Sequence, residues 1–342
     1  MNTVRFGKTE LMVSKIAFGA LPIQRLEKQQ AAELVRQSLD LGVNFIDTAN
    51  GYTDSEEKIG LALKGIPRES VVLATKSLAK DKKTFLEHID LSLKRLGVDY
   101  IDIYQIHHIS SQKGYDAAFG EGGAYEGLME AIKAGKVRFS GFSSHSIPMA
   151  IRVMREWKFA SLQLPFNFVE DEAAREAIPL ARELDMGFIA MKPFGGGPLG
   201  NANLVIKYLM QFEGVVPDPG IEKLSEIQEI IGIVNSREKF SAADAQMVAE
   251  IKARVGNAWC RRCDYCLPCP QKIGIGILMH LESMFTRMPY QRVVDMAGRH
   301  IQAAKTCTEC RVCVQRCPYD LDIPELLKEK LTLWDQYVVE NA

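Results

Sequence analysis

Residues 45–65, FIDTANGYTDSEEKIGLALKG, contain the pattern that decides the fold. FIDTA (45–49) is a short apolar run, and DSEEKIGLALKG (54–65) follows it with a helical period. The same order recurs where VVLATK (71–76) precedes DKKTFLEHIDLSLKRLG and where YIDIYQIH (100–107) precedes EGLMEAIKAGK. Strands that alternate with helices of about 10 to 15 residues are typical of a parallel sheet.

Working outward from this unit, KIAFGA (15–20) lies before it, and RFSGFSS, SLQLPFN, MGFIAMKP and VVPDP follow, each with a helical segment behind it. The eight strand-like runs favour a closed (β/α)8 TIM barrel, an α/β fold, over an open doubly wound sheet. VRFGKTELMVSK (4–15) predicts a β-hairpin that closes the barrel bottom.

The pattern of alternating strands and helices ends with the helical segment SAADAQMVAEIKARV (241–255). We therefore predict a barrel domain at residues 1–255 and a small all-α domain at residues 256–342. Two apolar faces at helical spacing support the all-α prediction. They consist of Ile277, Leu278, Leu281 and Met284, and of Val293, Val294, Ala297 and Ile301.

Composition excludes several kinds of partner. A hydrophobic fraction of 47% and a charged fraction of 25% in 342 residues are those of an ordinary globular protein, and a net charge of −1 gives no electrostatic attraction to nucleic acid or to an anionic membrane. The N-terminus lacks the apolar region of a secretory signal, and no run of 18 apolar residues could span a bilayer. We expect a cytoplasmic protein with neither of these partners.

Ionisable residues recur at the carboxyl ends of adjacent predicted strands. Asp47, Lys76 and His107 are 29 and 31 residues apart, about one βα unit each, and Tyr52 follows Asp47 closely enough to reach the same mouth. A barrel places its active site at this end. Any one of these residues alone would ordinarily be packed or solvated, so it is their joint register that indicates a site. The set suits proton donation, with Lys76 lowering the pKa of Tyr52, Asp47 holding Lys76, and His107 orienting a carbonyl oxygen.

FIDTANGYTDSEEKIG, ATKS, DIYQIHH and GFSSHS, in this order, resemble the aldo-keto reductase family over roughly residues 3–235. The resemblance implies a catalytic tetrad of Asp47, Tyr52, Lys76 and His107, with Tyr52 protonating a carbonyl while a nicotinamide delivers hydride. It implies that Ser143 and Gln163 touch the carboxamide, and that KPFGGGPLG (192–200) is the pyrophosphate loop. The cofactor-binding residues expected from it are Ser143, Ser144, Gln163, Lys192, Gly195, Gly196 and Lys223.

The identity of the nucleotide stays open in the sequence. Where relatives carry small hydroxyl residues near the adenosine phosphate, this chain has Glu222 and Lys223. A carboxylate there would repel a 2′-phosphate, so NAD(H) and NADP(H) are both candidates.

All eight cysteines lie in CRRCDYCLPCP (260–270) and CTECRVCVQRCP (307–318). The second stretch has the spacing of bacterial ferredoxins, in which three cysteines hold one [4Fe-4S] cluster and the fourth holds the other. We predict one cluster on Cys260, Cys263, Cys266 and Cys317 and a second on Cys307, Cys310, Cys313 and Cys269. Zinc is the alternative, although it does not need a third cysteine at the same spacing, and disulfides or free thiols come after it.

The whole chain, including CPYDLDIPELLK, resembles a subgroup of aldo-keto reductases with a C-terminal two-cluster ferredoxin-type domain. This implies reversible interconversion of a small carbonyl or alcohol substrate, with the clusters relaying electrons to a ferredoxin or a flavoprotein. Two alternatives remain open. The chain could be an iron–sulfur electron-transfer protein whose barrel binds a cofactor or partner without turnover, or the clusters could be purely structural.

Overall fold

The structure, a computed structural model, describes residues 2–197, 199–255 and 258–341. It divides into two compact units, Met1–Asp244 and Ala245–Ala342. The boundary predicted at residue 255 coincides with the last residue of a helix that begins in the first unit, Ala242–Val255. Residues 256 and 257, where the predicted second domain begins, lie outside the described part of the chain.

The first unit is a closed parallel barrel, as the alternation of strands and helices predicts. Neighbouring strands pair in chain order. Closure comes from a parallel bridge between Gly19 and Gly220 and from the bond that the Ala17 amide donates to the Pro217 carbonyl at 2.8 Å. The barrel strands are β3 Phe18–Gly19, β4 Phe45–Asp47, β5 Val72–Ser77, β6 Ile101–Ile106, β7 Val137–Ser143, β8 Ser161–Pro165, β9 Gly187–Met191 and β10 Val215–Asp218.

Helices cover the outside of this barrel, which is why β5 and β6 are buried along their whole length. The segments expected to be helical after the second, third and fourth strands are helical, and a further helix, Gln112–Phe119, precedes the one after the fourth. The helices are α1 Lys28–Asp40, α2 Ser55–Leu63, α3 Lys82–Leu96, α4 Gln112–Phe119, α5 Ala124–Lys133, α6 Ile147–Glu156, α7 Ala177–Glu183, α8 Ala202–Leu209, α9 Leu224–Ser236 and α10 Ala242–Val255.

The predicted N-terminal hairpin closes the barrel bottom. Its strands β1 (Thr3–Arg5) and β2 (Met12–Ser14) pair antiparallel. Phe6, 1% exposed, packs edge-on against Phe45 with ring centroids 5.3 Å apart and belongs to the apolar cluster inside the barrel. An apolar floor therefore lies beneath the strands.

Side chains change from apolar to polar along the inside of the barrel. Because successive strand residues point to opposite faces, every second residue faces inward. Phe45, Val72 and Val216 belong to the apolar cluster, and the inward positions nearer the carboxyl ends of the same strands are occupied by Asp47, Lys76 and Asp218. The fold thus collects charged groups at one end of an otherwise apolar barrel.

The second unit is helical over its described residues. Its buried core includes Leu278, Leu281, Met284, Val293, Ala297 and Ile301 from the two predicted apolar faces, with Ile277 and Val294 partly buried against it. The helices are α11 Ile275–Leu278, α12 Leu281–Arg287, α13 Tyr290–Ala304, α14 Val312–Gln315 and α15 Ile323–Asn341. Most of the cysteines lie on the loops that these helices flank, and only Cys313 lies within a helix, α14.

Candidate active site and cysteine-lined cavities

The centre of the barrel site is a buried ion pair. Lys76 Nζ lies 2.5 Å from Asp47 Oδ2 and donates a second bond to the Thr48 carbonyl oxygen at 2.7 Å. Both charged side chains are at most 3% exposed. Since β4 and β5 are adjacent strands in fixed register, the backbone itself sets the distance between the two groups.

Tyr52 lies between this pair and His107. Lys76 Nζ is 5.3 Å from the centroid of the Tyr52 ring, and the Tyr52 and His107 rings meet edge to face with centroids 6.4 Å apart. The His107 backbone is held on both sides, because its amide donates to the Ser77 carbonyl and its carbonyl accepts from Lys80 Nζ. The structure therefore brings together the four residues that the sequence predicts as a tetrad.

Neighbouring charges determine the protonation state of Lys76. Burial alone disfavours the Lys76 ammonium, but attraction by neighbouring acidic groups, above all Asp47, outweighs it, so the pKa of Lys76 is raised above its ordinary value. Lys76 thus remains a cation. It can stabilise negative charge on the Tyr52 oxygen without giving up its own proton.

Two further polar residues, Gln163 and Asp218, extend the hydrogen-bond network of the ion pair. Gln163 Nε2 donates to Asp47 Oδ2 at 3.2 Å and to Asp218 Oδ2 at 3.0 Å. Gln163 was expected at the cofactor, whereas Asp218 was not expected at the site at all. The signal for Asp218 was present, since it ends the eighth strand, VVPDP, as Asp47 ends the second.

Ser143, the last residue of the fifth barrel strand β7, and Ser144, which follows it, have different surroundings. Ser143 Oγ accepts the His108 amide at 2.9 Å. Ser144 is fully buried, and its hydroxyl donates to the Ile109 carbonyl at 2.6 Å and accepts from the Ser146 amide. Ser144 thus ties the loop after β7 to the loop after β6.

The glycine-rich loop after β9 turns through a left-handed backbone. Lys192 has φ +55°, and Gly195 and Gly196 have φ +61° and +86°. The Lys192 carbonyl accepts from Asn167 Nδ2 at 3.1 Å, and the Gly195 amide donates to that same carbonyl at 2.8 Å. Pro198, within the predicted pyrophosphate loop, lies outside the described residues.

The start of α9 already holds a carboxylate. Glu226 Oε2 accepts the backbone amides of Glu222 at 2.7 Å and Lys223 at 3.0 Å. Glu222 also lies 3.6 Å from the Arg25 guanidinium. Two backbone amides immediately before this helix are therefore satisfied from within the chain.

The eight cysteines line two separate cavities in the second unit. One is lined by Cys260, Cys263, Cys266 and Cys317, and the other by Cys269, Cys307, Cys310 and Cys313. These are the two sets of four that the ferredoxin spacing predicts. No three His, Cys, Asp or Glu side chains of the described chain converge on a single-ion site.

The cysteine-bearing loops are sharply curved and joined to each other. Arg262 and Asp264 in the first segment, and Glu309 and Arg311 in the second, have left-handed backbones. Arg316 donates to the Pro268 carbonyl at 3.0 Å, which joins the two segments. This curvature lets closely spaced cysteines face one cavity.

Burial affects the thiols. It raises the pKa of Cys266 to about 12, with repulsion from Cys260 adding to the effect, and it also raises the pKa values of Cys263 and Cys313. Ligation requires thiolates, so binding of a metal group here releases protons.

Residues 15–213 match the model of the aldo/keto reductase family, which is more than half of the chain. The chain belongs to the aldo/keto reductase family. Residues 259–322 match the 4Fe-4S dicluster domain, which contains all eight cysteines. The resemblance to this family and the expected C-terminal 4Fe-4S dicluster domain are thus confirmed.

Relatives agree with this assignment over the barrel. The soybean (Glycine max) protein named "Probable aldo-keto reductase 1" is 27% identical over 223 residues, which cover 60% of this chain and 63% of that protein. The Bacillus subtilis protein named "Uncharacterized oxidoreductase YrpG" is 30% identical over 237 residues, covering 60% of this chain and 70% of that protein. The match to the soybean relative thus spans less than two thirds of its length.

The fold also matches solved structures. An aldo-keto reductase from Klebsiella pneumoniae, described as in complex with NADPH, has a TM-score of 0.63 at 21% identity, covering 73% of this chain and 95% of that one. The (β/α)8 fold is therefore that of the family. Among the described residues, no helix is long and apolar enough to cross a membrane.

Proposed function

We propose that the chain is an oxidoreductase whose barrel interconverts a small carbonyl compound and its alcohol with a nicotinamide cofactor, and whose second domain carries two [4Fe-4S] clusters that relay electrons. We assign the barrel to residues 1–255 and the cluster domain to residues 256–342. Cytoplasmic location suits eight cysteines that must stay reduced to act as ligands.

The observation that carries the barrel proposal is the convergence of Tyr52, the Lys76–Asp47 pair and His107 at one mouth. Tyr52 is the proton donor, because it lies beside a permanent cation that stabilises its anion. Asp47 keeps Lys76 in place at 2.5 Å. His107 orients the carbonyl oxygen toward the phenol.

Polar atoms within the barrel suit the nicotinamide. Gln163 Oε1 and both amide atoms of Gln105 are buried without a hydrogen-bond partner among the described residues. We assign the carboxamide to Gln163 and Ser143, beside Ser144, and the phosphates to the loop of Lys192, Gly195 and Gly196.

We infer that NADH binds at least as well as NADPH. The Klebsiella relative is described with NADPH. Here, however, Glu226 accepts the amides of Glu222 and Lys223 just ahead of α9, and Glu222 adds a second carboxylate. A 2′-phosphate placed near this helix end would meet like charge.

The cysteine cavities suit two clusters with crossed ligand sets. The first would be held by Cys260, Cys263, Cys266 and Cys317, and the second by Cys269, Cys307, Cys310 and Cys313. When bound, the nicotinamide supplies hydride and the clusters carry single electrons, which a ferredoxin or a flavoprotein would exchange.

Tyr52→Phe tests the barrel proposal. We expect carbonyl turnover to fall by about 100-fold to 10,000-fold, because the general acid is removed, while iron content stays the same. The matched control is Tyr125→Phe, which removes a hydroxyl on α5 that donates to the Lys158 carbonyl and keeps the ring. Unchanged turnover in Tyr52→Phe would remove this residue from the mechanism.

Anaerobic titration with NADH and with NADPH, followed by EPR of the clusters, tests cofactor choice and coupling together. Oxidation of either nucleotide with an aldehyde or ketone supports the reductase. If neither nucleotide binds or is oxidised, the electron-transfer alternative is the better one. If NADPH binds markedly more tightly than NADH, the inference from Glu226 is wrong.

Paired cysteine variants test the crossed ligand sets. The intact protein should contain about eight iron atoms, four for each cluster. Cys263→Ser with Cys317→Ser changes one predicted set, so about four irons should remain. Cys313→Ser with Cys317→Ser changes both sets and should remove nearly all iron. The reverse outcome would show that Cys317 shares a cluster with its sequence neighbours, and bound zinc would overturn the cluster proposal.

A further inference from the structure

Asp218 is a second buried carboxyl group in the barrel. It ends β10, is 8% exposed, and its Oδ2 accepts from the same Gln163 amide nitrogen that donates to Asp47. Gly19 makes room for it, since a Cβ at that position would lie 2.8 Å from Asp218 Oδ1. The closed barrel thus places the two carboxyl groups around one amide donor.

The charges in this cluster do not balance if both carboxyl groups are ionised. Lys76 is the cation that acts on both Asp47 and Asp218, and the Lys76–Asp47 pair is already neutral. An ionised Asp218 would therefore add one uncompensated negative charge at a buried site. Such a charge is costly, and a buried carboxyl avoids the cost by keeping its proton.

The hydrogen bonds also indicate that one of the two carboxyl groups carries a proton. Asp47 Oδ1 and Asp218 Oδ1 both lack a partner among the residues that the structure describes. Two carboxylates cannot bond to each other, because both only accept. A proton on one of them would supply the missing donor.

We propose that Asp218 is a positioning residue that stays protonated and donates its carboxyl O–H to Asp47. The groups facing it are Asp47 on β4, Lys76 on β5 and Gln163 on β8, while β3 contributes Gly19 and the β9 partner is Met191. Burial and repulsion from Asp47 raise the pKa of Asp218 well above its ordinary value, against the attraction of Lys76.

This proton would fix the charge beside Tyr52. With Asp218 neutral, Lys76 is opposed by one carboxylate, and that carboxylate is oriented by two donors, Gln163 and Asp218. Ionisation of Asp218 would add a negative charge near Tyr52 and oppose formation of its anion. Activity is therefore expected to decline at a pH at which Asp218 loses its proton.

Infrared difference spectroscopy tests the proton directly. Wild type minus Asp218→Asn at neutral pH should show the carbonyl band of one protonated carboxylic acid. The matched control is Asp102→Asn, which removes a buried carboxylate held by Arg68 at 2.6 Å and Arg138 at 2.8 Å. The difference spectrum of wild type minus Asp102→Asn should show only the bands of an ionised carboxylate. An ionised band for Asp218 would overturn the proposal.

Kinetics give a second measurement, which rests on the proposed carbonyl reduction. Asn can still donate to Asp47, so Asp218→Asn should keep most of the turnover and lack the alkaline decline of the wild type. Asp218→Val cannot donate, and its kcat should fall about tenfold or more with little change in KM, because a buried acceptor is left unpaired. If Asp218→Asn is as impaired as Asp218→Val, turnover needs the ionised carboxylate of Asp218 and not its protonated form, which would overturn the proposal. If no variant, wild type included, reduces a carbonyl, the proposed function fails while the infrared result still decides on Asp218.

Discussion

At the barrel mouth, Lys76 and Asp47 are held by paired strands, by each other and by Gln163. In the second unit, the cysteines lie mostly on curved loops, and burial holds the thiols of Cys263, Cys266 and Cys313 in their protonated form. The first site is thus held together by contacts within the chain. The second has an apolar core, and ligation by the cysteines would add to its cohesion by joining segments that are far apart in sequence.

This difference predicts that iron removal affects the two regions unequally, and we expect the largest effect here. A structural metal contributes folding free energy on the order of 10 kcal/mol, so iron-free protein should lose amide protection in α13 and α15. β5 and β6 should keep theirs. Hydrogen exchange with mass spectrometry, before and after anaerobic chelation, measures both. Equal protection of α13 in the two samples would contradict the comparison.

Lys76→Met tests how much the buried ion pair with Asp47 stabilises the barrel. Removing the ammonium leaves Asp47 buried and uncompensated, which should lower the free energy of unfolding of the barrel by about 3 to 5 kcal/mol. The control is Lys82→Met, which breaks the exposed pair with Glu130 at 2.8 Å and should change the free energy of unfolding far less. Denaturant titration, with hydrogen exchange in β5 as the local probe, gives both values. Similar losses in the two variants would show that the buried pair is not what holds the mouth.

Asp244→Ala should give the smallest effect, on a local capping contact in the first unit. Asp244 Oδ2 accepts from the Ser241 amide at the start of α10 and lies 2.8 Å from Lys207 Nζ. The bond with Lys207, with help from Ser241, lowers the pKa of Asp244 to about 2. We expect a loss of about 1 kcal/mol at neutral pH.

The pH dependence of that loss follows from the direction of the shift. The ordinary pKa of this carboxyl is 3.8, so its stabilising effect is fully present above that value and disappears as the pH falls toward about 2. The stability difference between Asp244→Ala and wild type should close over this range. A difference that persists at pH 2 would mean that the side chain acts by packing. Asp90→Ala, which removes an exposed partner of Lys136, is the control.

Much of the fold could be predicted from short stretches. FIDTA and VVLATK each predict a strand within a few residues. SAADAQMVAEIKARV predicts a helix that begins with a Ser–Asp capping pair. The cysteine spacing likewise predicts two sets of four, and each set lines its own cavity. These signals are local because strand period, helix period and ligand spacing all act over about ten residues.

The surroundings of Lys76 could not be predicted in the same way. Asp218 lies 142 residues after Lys76, and only barrel closure between Gly19 and Gly220 brings the eighth strand around to Asp47. By contrast, the bonds that Glu226 accepts from the amides of Glu222 and Lys223 are local, and the resemblance to the family's adenosine site does not indicate them. The charge cluster around Lys76 depends on a non-local neighbour.

By itself, the amino-acid sequence determined the alternation of strands and helices, the aldo/keto reductase motifs at the strand ends, and the grouping of eight cysteines into two sets of four. Only the tertiary structure decided which polar groups share the barrel interior and how their charges balance. The physical reason is that periodicity is encoded along the chain, whereas burial and electrostatic coupling depend on distances that exist only after the barrel closes.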